Sequence, residues 1–458
     1  MAAGKGTRMK SALPKVLHRL AGRSLLQHVV DTAVDLGADR IVVVSGHGAE
    51  AVEASVRREG VVFVRQEPQL GTGHAVQQAL PRLHDEGTTL VLNGDVPLIE
   101  AATCRALLDA CADENLALLT VALADPTGYG RVVRGDAAGR SAHEGGRVRG
   151  IVEHKDATPA QRAIREVYTG IMAVPTGYLR RWLAALSNDN AQREYYLTDI
   201  VAMAVAERVP VVTAAAHDEI EVLGVNSPQQ LAALERSLQR RRAEALMAGG
   251  VRLADPARLD VRGELSAGSD VEIDVNCVFE GRVVLGDGAR IGANCVIRDS
   301  RIAAGAEIQP FTHMVGADIG AGAIVGPFAR LRPGAVLGED VHIGNFVEVK
   351  NSTLARGAKA NHLAYLGDSS VGERVNYGAG SITANYDGAN KHRTVIGADA
   401  HIGSNCVLVA PVAVGAGATI GAGSTIGADA PAGQLTLARA RQVTLPNWTR
   451  PVKAADKP

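Results

Sequence analysis

The pattern that decides the fold is visible in Leu285-Gly-Asp-Gly-Ala-Arg-Ile-Gly-Ala-Asn-Cys-Val-Ile297. From about Ile273 to Ile426, an aliphatic residue, usually followed by glycine, returns almost every six residues. No helix has this period, which is typical of a parallel β-helix whose hexads each form a short strand and a turn around one narrow core. The fifth place of the hexads is small and is predicted to point inward at Ala289, Cys295, Ala323, Ala329, Val341, Val347, Ala400, Cys406, Ala418 and Ser424.

The stacking of this β-helix gives a first functional hypothesis. Three hexads make one coil, so residues 18 apart are expected to lie above one another at about 4.8 Å. Arg332 and Lys350 are 18 apart and both replace a corner glycine. Two stacked cations repel each other unless an anion lies between them. The pair is therefore either a solvated edge or a phosphate site, and the pattern alone leaves both possibilities open.

Composition limits the classes of partner. The chain has 458 residues with a net charge of -1, which gives no reason to expect nucleic acid or an acidic membrane as a partner. The sequence has no signal-like apolar stretch near its start and no run long enough to span a bilayer. The five cysteines match no zinc spacing, and Cys277, Cys295 and Cys406 are predicted to be free thiols of the core in a cytoplasmic protein.

The N-terminal half has a different pattern. Between residues 1 and 226, apolar runs such as 40–45 and 89–93 alternate with helical stretches such as 25–36 and 101–111. This alternation predicts a doubly wound, Rossmann-like α/β domain. Residues 227–250 are predicted to form a linker helix, whose Arg240, Arg241 and Arg242 are interpreted as its solvated face, and residues 251–458 form the β-helix domain.

Two features of the α/β domain fall where ligands bind in such sheets, at the carboxyl ends of strands. Asp95 follows a buried strand in Leu92-Asn-Gly-Asp-Val-Pro97 and suits a hard cation. The start of the chain, Ala2-Ala-Gly-Lys-Gly-Thr-Arg-Met9, is a glycine-rich loop with two cations whose backbone N–H groups are able to cradle phosphate. It is not a P-loop, because the terminal Gly-Lys-Ser/Thr is missing.

These motifs occur together with several others in one order along the chain. The N-terminal half contains Gly4-Lys-Gly-Thr-Arg-Met9, Leu13-Pro-Lys15, Gln69-Leu-Gly-Thr-Gly-His-Ala75, Gly94-Asp-Val-Pro97 and Gly150-Ile-Val-Glu-His-Lys155. The solenoid adds Arg330-Leu-Arg-Pro-Gly334, Gly344-Asn-Phe-Val-Glu-Val-Lys350, Lys359-Ala-Asn-His-Leu-Ala-Tyr-Leu-Gly367 and Asn385-Tyr-Asp-Gly-Ala-Asn-Lys391. Over essentially its whole length the chain resembles the bacterial bifunctional N-acetylglucosamine-1-phosphate uridylyltransferases and glucosamine-1-phosphate acetyltransferases.

The resemblance implies two reactions and a left-handed β-helix. The C-terminal half would move the acetyl group of acetyl-CoA to the amine of glucosamine 1-phosphate. The N-terminal half would couple the product to UTP with Mg²⁺, giving UDP-N-acetylglucosamine and pyrophosphate for peptidoglycan and lipopolysaccharide synthesis. The family is cytoplasmic and forms homotrimers through the β-helix, with acetyl sites that draw on neighbouring chains.

The resemblance also implies roles for residues of the uridylyl site. Arg8 and Lys15 would hold the phosphates of UTP, and Asp95 and Asn226 would bind the metal. The uracil edge and the amino sugar would be contacted by Gln66, Gly71, Thr72, Gly130 and Glu153.

In the acetyl site, His362 is the implied general base, since an ammonium group cannot attack a thioester and the ordinary pKa of an imidazole suits proton abstraction near neutrality. The sugar phosphate would be bound by Arg332, Lys350, Tyr365, Asn376 and Lys391. Acetyl-CoA would be bound by Ala379, Asn385, Tyr386, Ser404, Ala422 and Arg439. The polar segment from Asn385 to Arg393 is expected to protrude as a loop, because it cannot supply core residues.

Three departures from the family pattern qualify the resemblance. Tyr168 stands where the family usually has an asparagine that contacts the sugar, and the segment from Gly135 to Gly146 is longer than usual. The family also has an apolar strand before the glycine-rich loop, so about 6–10 residues are expected upstream of Met1. Without them, Arg8 is expected on an untethered terminus and the uridylyl activity is expected to be weak or absent.

Two other functions fit the same architecture. A single-activity sugar-nucleotide pyrophosphorylase with a structural β-helix would have no base in the solenoid, which His362 argues against. A non-enzymatic scaffold would have lost the phosphate loop and the carboxylate of Asp95, and both are present.

Overall fold

The computed structural model describes residues 1–56, 58–135, 146–190 and 192–453. Its contacts divide the chain into two compact units, Met1–Arg241 and Arg242–Pro458. The long segment expected between 135 and 146 lies largely outside the described residues. Within the described ranges, no helix has the length and apolar character needed to cross a bilayer.

The helices of the first unit follow local sequence rules. Ser24 caps α1 (Leu25–Asp35), since its hydroxyl accepts a hydrogen bond from the backbone N–H of Gln27, and the helix buries one apolar face. The following helices are α2 (Ala49–Ser55), α3 (Thr72–Ala79), α4 (Ala101–Cys111), α5 (Pro159–Arg162), α6 (Thr176–Ala184) and α7 (Asp199–Ala206). The helical stretches predicted at 25–36 and 101–111 are therefore confirmed.

The strands of this unit form a mixed sheet and smaller pairs. They are β1 (Arg19–Leu20), β2 (Arg23–Ser24), β3 (Ile41–Ser45), β4 (Val61–Arg65), β5 (Thr88–Val91), β6 (Leu116–Ala122), β7 (Gly130–Arg134), β8 (Val148–Val152), β9 (Glu166–Pro175) and β10 (Val211–Ala215). The pairs β3–β4 and β10–β6 are parallel, whereas β9 pairs antiparallel with β5, β6 and β7. The predicted α/β domain is confirmed, and its six-stranded sheet is mixed because the antiparallel strand β9 lies between β6 and β7.

The first two residues bridge the β3–β4 pair and the six-stranded sheet at the carboxyl ends of β3 and β5. The N–H of Ala2 donates to Val44 O at 2.8 Å, and Met1 O accepts from the N–H of Gly94 at 2.8 Å. Beyond them, a cavity of about 400 Å³ lies between the apolar side chains of β3 and β5. The expectation of an untethered terminus is therefore wrong, because these bonds hold the glycine-rich loop at the strand ends. The expected upstream strand stays a prediction.

The predicted linker helix is α8 (Pro228–Ala248). Its Leu234 is buried beside Leu231 and Leu238 against the first unit's own apolar residues. The interpretation of the three arginines as a solvated face is wrong in part. Arg241 forms an ion pair with Glu100, and Arg242 donates to the carbonyl of Val261.

The second unit is a parallel β-helix, as predicted. One face is an eleven-stranded sheet within the described residues, formed by Arg252–Leu253, Glu272–Ile273, Arg290–Ile291, Glu307–Ile308, Ile324–Val325, His342–Asn345, Lys359–His362, Asn376–Tyr377, His401–Ile402, Thr419–Ile420 and Leu435–Thr436. The other faces are formed by Leu259–Ala267, Cys277–Leu285, Val296–Arg298, Arg301–Ile302, His313–Val315, Asp318–Ile319, Arg330–Leu331, Val336–Leu337, Glu348–Lys350, Thr353–Leu354, Tyr365–Gly367, Ser369–Val371, Ile382–Ala384, Thr394–Ile396, Val407–Val409, Val412–Val414 and Thr425–Ile426. Every one of these pairings is parallel, so each coil rests on the one before it.

The spacing of the coils corrects one expectation. Residues 18 apart do stack where Glu348 pairs with Arg330, which places Lys350 over Arg332. Elsewhere the offset is often 17, as between His362 and Asn345. The reason is that some corners are one residue shorter: the inward residues Val349 and Leu354 are five apart. A fixed offset of 18 is therefore wrong for many coils.

The core of the β-helix contains the small fifth residues of the hexads, which are buried as predicted. Cys277, Cys295 and Cys406 are buried free thiols. Burial raises the pKa of Cys277 to about 11 and that of Cys295 to about 12, which makes both thiols inert at neutral pH.

Candidate functional site

A cavity of about 980 Å³ opens at the strand ends of the first unit. Its lining includes Lys15, Gln66, Gly71, Thr72 and Asp95, five of the residues implied for the uridylyl site. The glycine-rich loop forms one wall through residues 1–5, and the start of α3 forms another. The glycine-rich loop and the carboxylate of Asp95 therefore border a space large enough for a nucleotide.

Lys15 is the central cation of this cavity. Its Nζ lies 2.5 Å from Asp95 Oδ2 and 3.0 Å from Asn226 Oδ1. The side chains of Lys15 and Asp95 are only 13% and 21% exposed. The residues predicted to bind phosphate and metal are thus brought together, and the ammonium lies between the two predicted metal ligands.

The oxygen donors of Asp95 and Asn226 fit a hard divalent cation such as Mg²⁺, since both already converge on one positive group. They are too few to hold a metal unaided. Among the described histidine, cysteine and acidic residues, no group of three is arranged to bind a metal. Mg²⁺ in proteins is usually held by one or two carboxylates together with substrate phosphates, and this donor set matches that pattern.

Gln66 and the turn after it are held in a fixed geometry. The amide nitrogen of Gln66 donates to Gly71 O at 2.8 Å, and Thr72 Oγ1 accepts from the N–H of Leu197 at 3.1 Å. Gly71 has φ +104°, and a Cβ there would lie 2.7 Å from Tyr195 O. This turn therefore requires glycine, and it leaves the amide oxygen of Gln66 available to a ligand.

Gly130 and Glu153 are neighbours on β7 and just beyond β8. A Cβ at Gly130 would lie 3.6 Å from a carboxylate oxygen of Glu153. Burial raises the pKa of Glu153, although the hydroxyl of Thr198, which donates to it at 3.1 Å, opposes the shift. This pair does not line the large cavity. The same holds for Arg8, which is exposed on a short 3₁₀ turn, Thr7–Met9.

Tyr168, the departure from the family pattern, is buried on β9. Its hydroxyl has no hydrogen-bond partner within the described part of the chain. Burial, with a smaller contribution from the charge of Glu153, raises the pKa of this phenol well above its ordinary value. The phenol is therefore a neutral hydroxyl near the residue implied to contact the amino sugar.

The second unit gathers three cations at one edge of the β-helix. Arg332 and Lys350 lie on adjacent coils, and Lys391 extends from the segment that follows Ile382–Ala384. Contact with Lys391 lowers the pKa of Lys350, as do partial burial and the charge of Arg332, whereas Asp368 opposes the shift. Three neighbouring cations of this kind favour an anion site over a solvated edge, and the choice between the two stays a prediction.

Asp368 stabilises the edge of the β-helix that carries these cations. Burial would raise the pKa of Asp368, but hydrogen bonds from Asn351 and Asn385 and the charges of the two lysines outweigh that effect and lower it. The amide of Asn351 donates to one carboxylate oxygen at 2.5 Å, and the amide of Asn385 donates to the other. Asp368 therefore fixes the first residue of the loop that carries Lys391.

The segment from Asn385 to Arg393 protrudes as predicted. It adds residues between Ile382–Ala384 and Thr394–Ile396, so that Val407 pairs with Ile382 at an offset of 25. Within it, Tyr386 is exposed and its hydroxyl donates to Gly388 O at 2.6 Å. Asn385 itself is buried and serves as the anchor of the loop, which the sequence did not predict.

His362 is exposed at the end of its strand and is paired with the residue one coil before it. Its Nδ1 lies 3.1 Å from the amide oxygen of Asn345. An amide oxygen is only an acceptor, so this contact selects the tautomer of the neutral imidazole that has its proton on Nδ1 and its lone pair on Nε2. This geometry suits a general base.

The small residues implied for acetyl-CoA form a column with His362. Strand register gives offsets of 17 from Lys359 to Asn376, 25 from Asn376 to His401 and 18 from His401 to Thr419. The same offsets lead from His362 to Ala379 (362 + 17), then to Ser404 (379 + 25) and Ala422 (404 + 18). At the end of the column, the guanidinium of Arg439 donates to Ala422 O at 2.7 Å.

The remaining implied sugar residues flank these features. Tyr365 pairs with Glu348 of the preceding coil. The Oε1 atom of Glu348 lies 2.9 Å from Arg332 Nη1, an ion pair. Asn376 is exposed, and its amide nitrogen lies 3.3 Å from His401 Nδ1.

Asn345, Glu348 and Asp368 have roles that sequence reasoning missed. The first two occur inside a quoted motif, Gly344-Asn-Phe-Val-Glu-Val-Lys350, and a stacking offset of 17 would have pointed from His362 to Asn345. Nothing in the sequence marked Asp368, whose partners come from neighbouring coils.

Family models match both halves of the chain. The family model of the MobA-like NTP transferase domain matches residues 1–253, the GMPPB C-terminal domain model matches 261–355, and the bacterial transferase hexapeptide model (six repeats) matches 393–428. A solved structure of apo-UDP-glucose pyrophosphorylase aligns with 53% of this chain and with 97% of its own chain. The TM-score is 0.41 and the sequence identity is 17%, so the likeness is weak.

Curated relatives match along the whole chain. The protein from Methylibium petroleiphilum called bifunctional protein GlmU is 74% identical over 99% of this chain and 98% of its own length. Proteins of the same name from Albidiferax ferrireducens and Cupriavidus pinatubonensis are 65% and 61% identical, over 99% of this chain in each case and over 99% and 98% of their own lengths. The chain therefore belongs to the bifunctional GlmU family, whose members are both uridylyltransferases and acetyltransferases.

Proposed function

We propose that His362 is the general base of acetyl transfer from acetyl-CoA to glucosamine 1-phosphate. Nε2 removes a proton from the amine as the nitrogen bonds to the acetyl carbon of the thioester. The carbon–sulfur bond breaks, the thiolate of CoA leaves, and the proton held by His362 is available to it. The hydrogen bond between His362 Nδ1 and Asn345 Oδ1 at 3.1 Å supports this role, because it favours the neutral tautomer whose lone pair is on Nε2.

The column of small residues beside His362 supports acetyl-CoA as the donor. Ala379, Ser404 and Ala422 project little beyond the corner and are at least partly exposed. Three coil steps of about 4.8 Å separate His362 from Ala422, a distance of about 14 Å along which an extended thiol-bearing arm is able to lie. Arg439 stands at the far end, where a cation suits the phosphates of a coenzyme.

The cluster of Arg332, Lys350 and Lys391 is proposed to bind the phosphate of the sugar. Its cations lower the pKa of Lys350, and a dianion between them would remove that repulsion. Tyr365 and Asn376 are proposed to contact the sugar hydroxyls, and Tyr386 to border the coenzyme. The observation that best supports the proposal for the second unit is that the cation cluster, His362 and the column of small residues lie on consecutive coils.

In the first unit, we propose that N-acetylglucosamine 1-phosphate attacks the α-phosphate of UTP, with pyrophosphate as the leaving group. The nucleophile is already anionic, so the protein's work is positioning and charge neutralisation. Lys15, Arg8 and the N–H groups of the glycine-rich loop would bind phosphates, and Gln66, Gly71 and Thr72 would bind uracil. Gly130 and Glu153 would contact the amino sugar.

Asp95 and Asn226 are proposed to hold Mg²⁺ together with the phosphates of UTP. The metal, when bound, neutralises the charge that develops on the α-phosphate and on pyrophosphate. The two side chains converge on one cation in the structure, which supports this assignment.

We propose a homotrimer formed through the β-helix, in the cytoplasm. An exposed aromatic ladder supports an interface beside His362. Phe311 and Phe328 stack with ring centroids 4.9 Å apart, and Phe328 and Phe346 at 5.4 Å. All three are about half exposed, and Phe346 directly follows Asn345. A continuous apolar stripe of this kind is typical of a surface that another copy covers.

The proposal is tested by mass-spectrometric product analysis with glucosamine 1-phosphate, acetyl-CoA, UTP and Mg²⁺, each omitted in turn. We expect N-acetylglucosamine 1-phosphate without UTP, and UDP-N-acetylglucosamine only with all four. Formation of UDP-glucosamine without acetyl-CoA at the full rate would contradict the proposed order and sugar specificity.

A further inference from the structure

We propose that Lys15 is an internal cation that occupies the metal site of the free enzyme and leaves it for the phosphates of UTP when metal enters. Lys15 would then make metal binding depend on nucleotide binding. This inference rests on the proposed metal role of Asp95 and Asn226, and it deepens that role.

The first support is the position of the ammonium. Lys15 Nζ lies within hydrogen-bond distance of Asp95 Oδ2 and Asn226 Oδ1, the two oxygens that a metal would use. An ammonium ion and a divalent cation cannot share these oxygens at such distances. Metal binding at this place therefore requires Lys15 to move.

The second support is that the lysine stem is held while its tip is able to swing. Gly6 has φ +59°, and a Cβ there would lie 2.6 Å from Lys15 Cβ, so the base of the side chain packs directly under the glycine-rich loop. The four-carbon stem of a lysine is flexible beyond that point. Lys15 also lines the large cavity, so the phosphates of a bound nucleotide are within its range of motion.

The third support is charge. Lys15 contacts one carboxylate and one amide, and among the described histidine, cysteine and acidic residues no group of three is arranged to bind a metal. With Lys15 in place, the carboxylate of Asp95 is already neutralised, and a free metal ion gains little. Nucleotide phosphates change this balance, because they bind the ammonium and supply further oxygen ligands to the metal.

A coupling of this kind is reciprocal. UTP raises the affinity for metal by the same factor by which metal raises the affinity for UTP. Lys15 contributes to that factor by opposing metal in the free enzyme and by binding phosphate in the complex. A lysine that contacts only phosphate would leave metal binding to the free enzyme unaffected.

The test measures Mn²⁺ binding to the full-length chain by electron paramagnetic resonance, with and without UTP and without sugar phosphate. Lys15→Met is compared with Lys10→Met, a matched change in net charge on an exposed residue that does not line the cavity. We expect Lys15→Met to bind Mn²⁺ about tenfold more tightly than wild type in the absence of UTP, and Lys10→Met to resemble wild type. We also expect UTP to raise Mn²⁺ affinity less in Lys15→Met than in wild type.

Lys15→Arg keeps a cation at this place, so it is expected to retain weak Mn²⁺ binding in the free enzyme. Unchanged or weaker Mn²⁺ binding by a folded Lys15→Met protein would overturn the inference, since Lys15 would then be only a phosphate ligand or a support for Asp95. Thermal unfolding with a wild-type-like transition verifies the fold of each variant. Equal Mn²⁺ binding by wild type and Asp95→Asn with UTP present would instead refute the proposed metal site itself.

Discussion

Replacement of the cations at the β-helix edge provides the most direct test of the acetyl site. Arg332→Met and Lys350→Met each remove one charge from the cluster while they retain the apolar stem. Arg330→Met is the matched control. Arg330 contacts the same carboxylate, Glu348, at 3.4 Å, but it is not among the charges that lower the pKa of Lys350.

The expected size of the effect follows from the strength of the hydrogen bond to phosphate that each change removes. A charge-assisted hydrogen bond to an anion contributes on the order of 1.5–3 kcal/mol. The Arg332 side chain is 37% exposed, so the lower end applies. With about 1.4 kcal/mol per factor of ten, each change is expected to raise KM for glucosamine 1-phosphate about tenfold. The KM for acetyl-CoA is expected to change less than about threefold, because neither side chain lies in the column of small residues.

Removal of a cation from the cluster is expected to weaken sugar-phosphate binding but to stabilise the unliganded protein. The pKa of Lys350 in the folded state lies below the ordinary lysine value. At a pH below both values, the charged lysine therefore destabilises the unliganded fold. This penalty disappears as pH rises from the lowered pKa to the ordinary one. Lys350→Met is therefore expected to raise Tm at pH 7 without ligand and to reduce the gain in Tm that sugar phosphate gives. As pH rises through the lowered pKa, the wild-type KM for glucosamine 1-phosphate is expected to rise.

The assay is steady-state release of CoA, followed with a thiol reagent, together with differential scanning fluorimetry with and without glucosamine 1-phosphate. Equal changes in both KM values would refute the assignment of the cluster to phosphate. A fall in Tm for unliganded Lys350→Met, with Arg330→Met unchanged, would refute the argument that the cations repel one another.

The remaining predictions concern the base, the metal and the interface. His362→Ala should lower kcat of acetyl transfer by about 10²–10⁴-fold and leave uridylyl transfer unchanged. Asn345→Ala removes only the orienting hydrogen bond, so it should lower kcat less and shift the pH profile of kcat. Near-normal acetylation by His362→Ala would exclude His362 as the base. Asp95→Asn should abolish uridylyl transfer and leave acetyl transfer intact, as measured by separate product assays, and residual uridylyl activity at the wild-type Mg²⁺ requirement would count against the metal site. Phe346→Ser should shift the mass distribution from trimer towards monomer in analytical ultracentrifugation, and an unchanged trimer would place the interface elsewhere.

In the first unit, sequence reasoning predicted the elements but not all of the contacts. The apolar runs predicted β3 and β5, and the glycine-rich loop and Asp95 were correctly expected at strand ends. The hydrogen bond between Lys15 and Asp95 was not foreseen, because the two residues are 80 positions apart and meet only when short turns and strand ends are folded together. The tethering of Met1 by the backbone of Gly94 was missed for the same reason.

In the second unit, the limit of sequence reasoning has a different cause, which is the length of the corners. Arg332 and Lys350 were correctly stacked because the coil between them has three full hexads. The column through Asn345, His362 and Ala379 uses steps of 17, because inward residues such as Val349 and Leu354 are five apart rather than six. The next step is 25, because the loop that carries Lys391 is inserted there.

A fixed period therefore predicts the core but misses the column proposed to bind acetyl-CoA, and the reason is chemical. Unbroken hexads bring inward residues into contact and expose little except small corners. A site needs a side chain such as Lys391 to reach back over an earlier coil, and only an inserted segment supplies that reach. Its anchor, Asn385 bound to Asp368, lies where the period is broken. In this solenoid, the interruption of the repeat is thus itself the sequence signal for the proposed acetyl site, and the offset across it has to be read from the strands on either side.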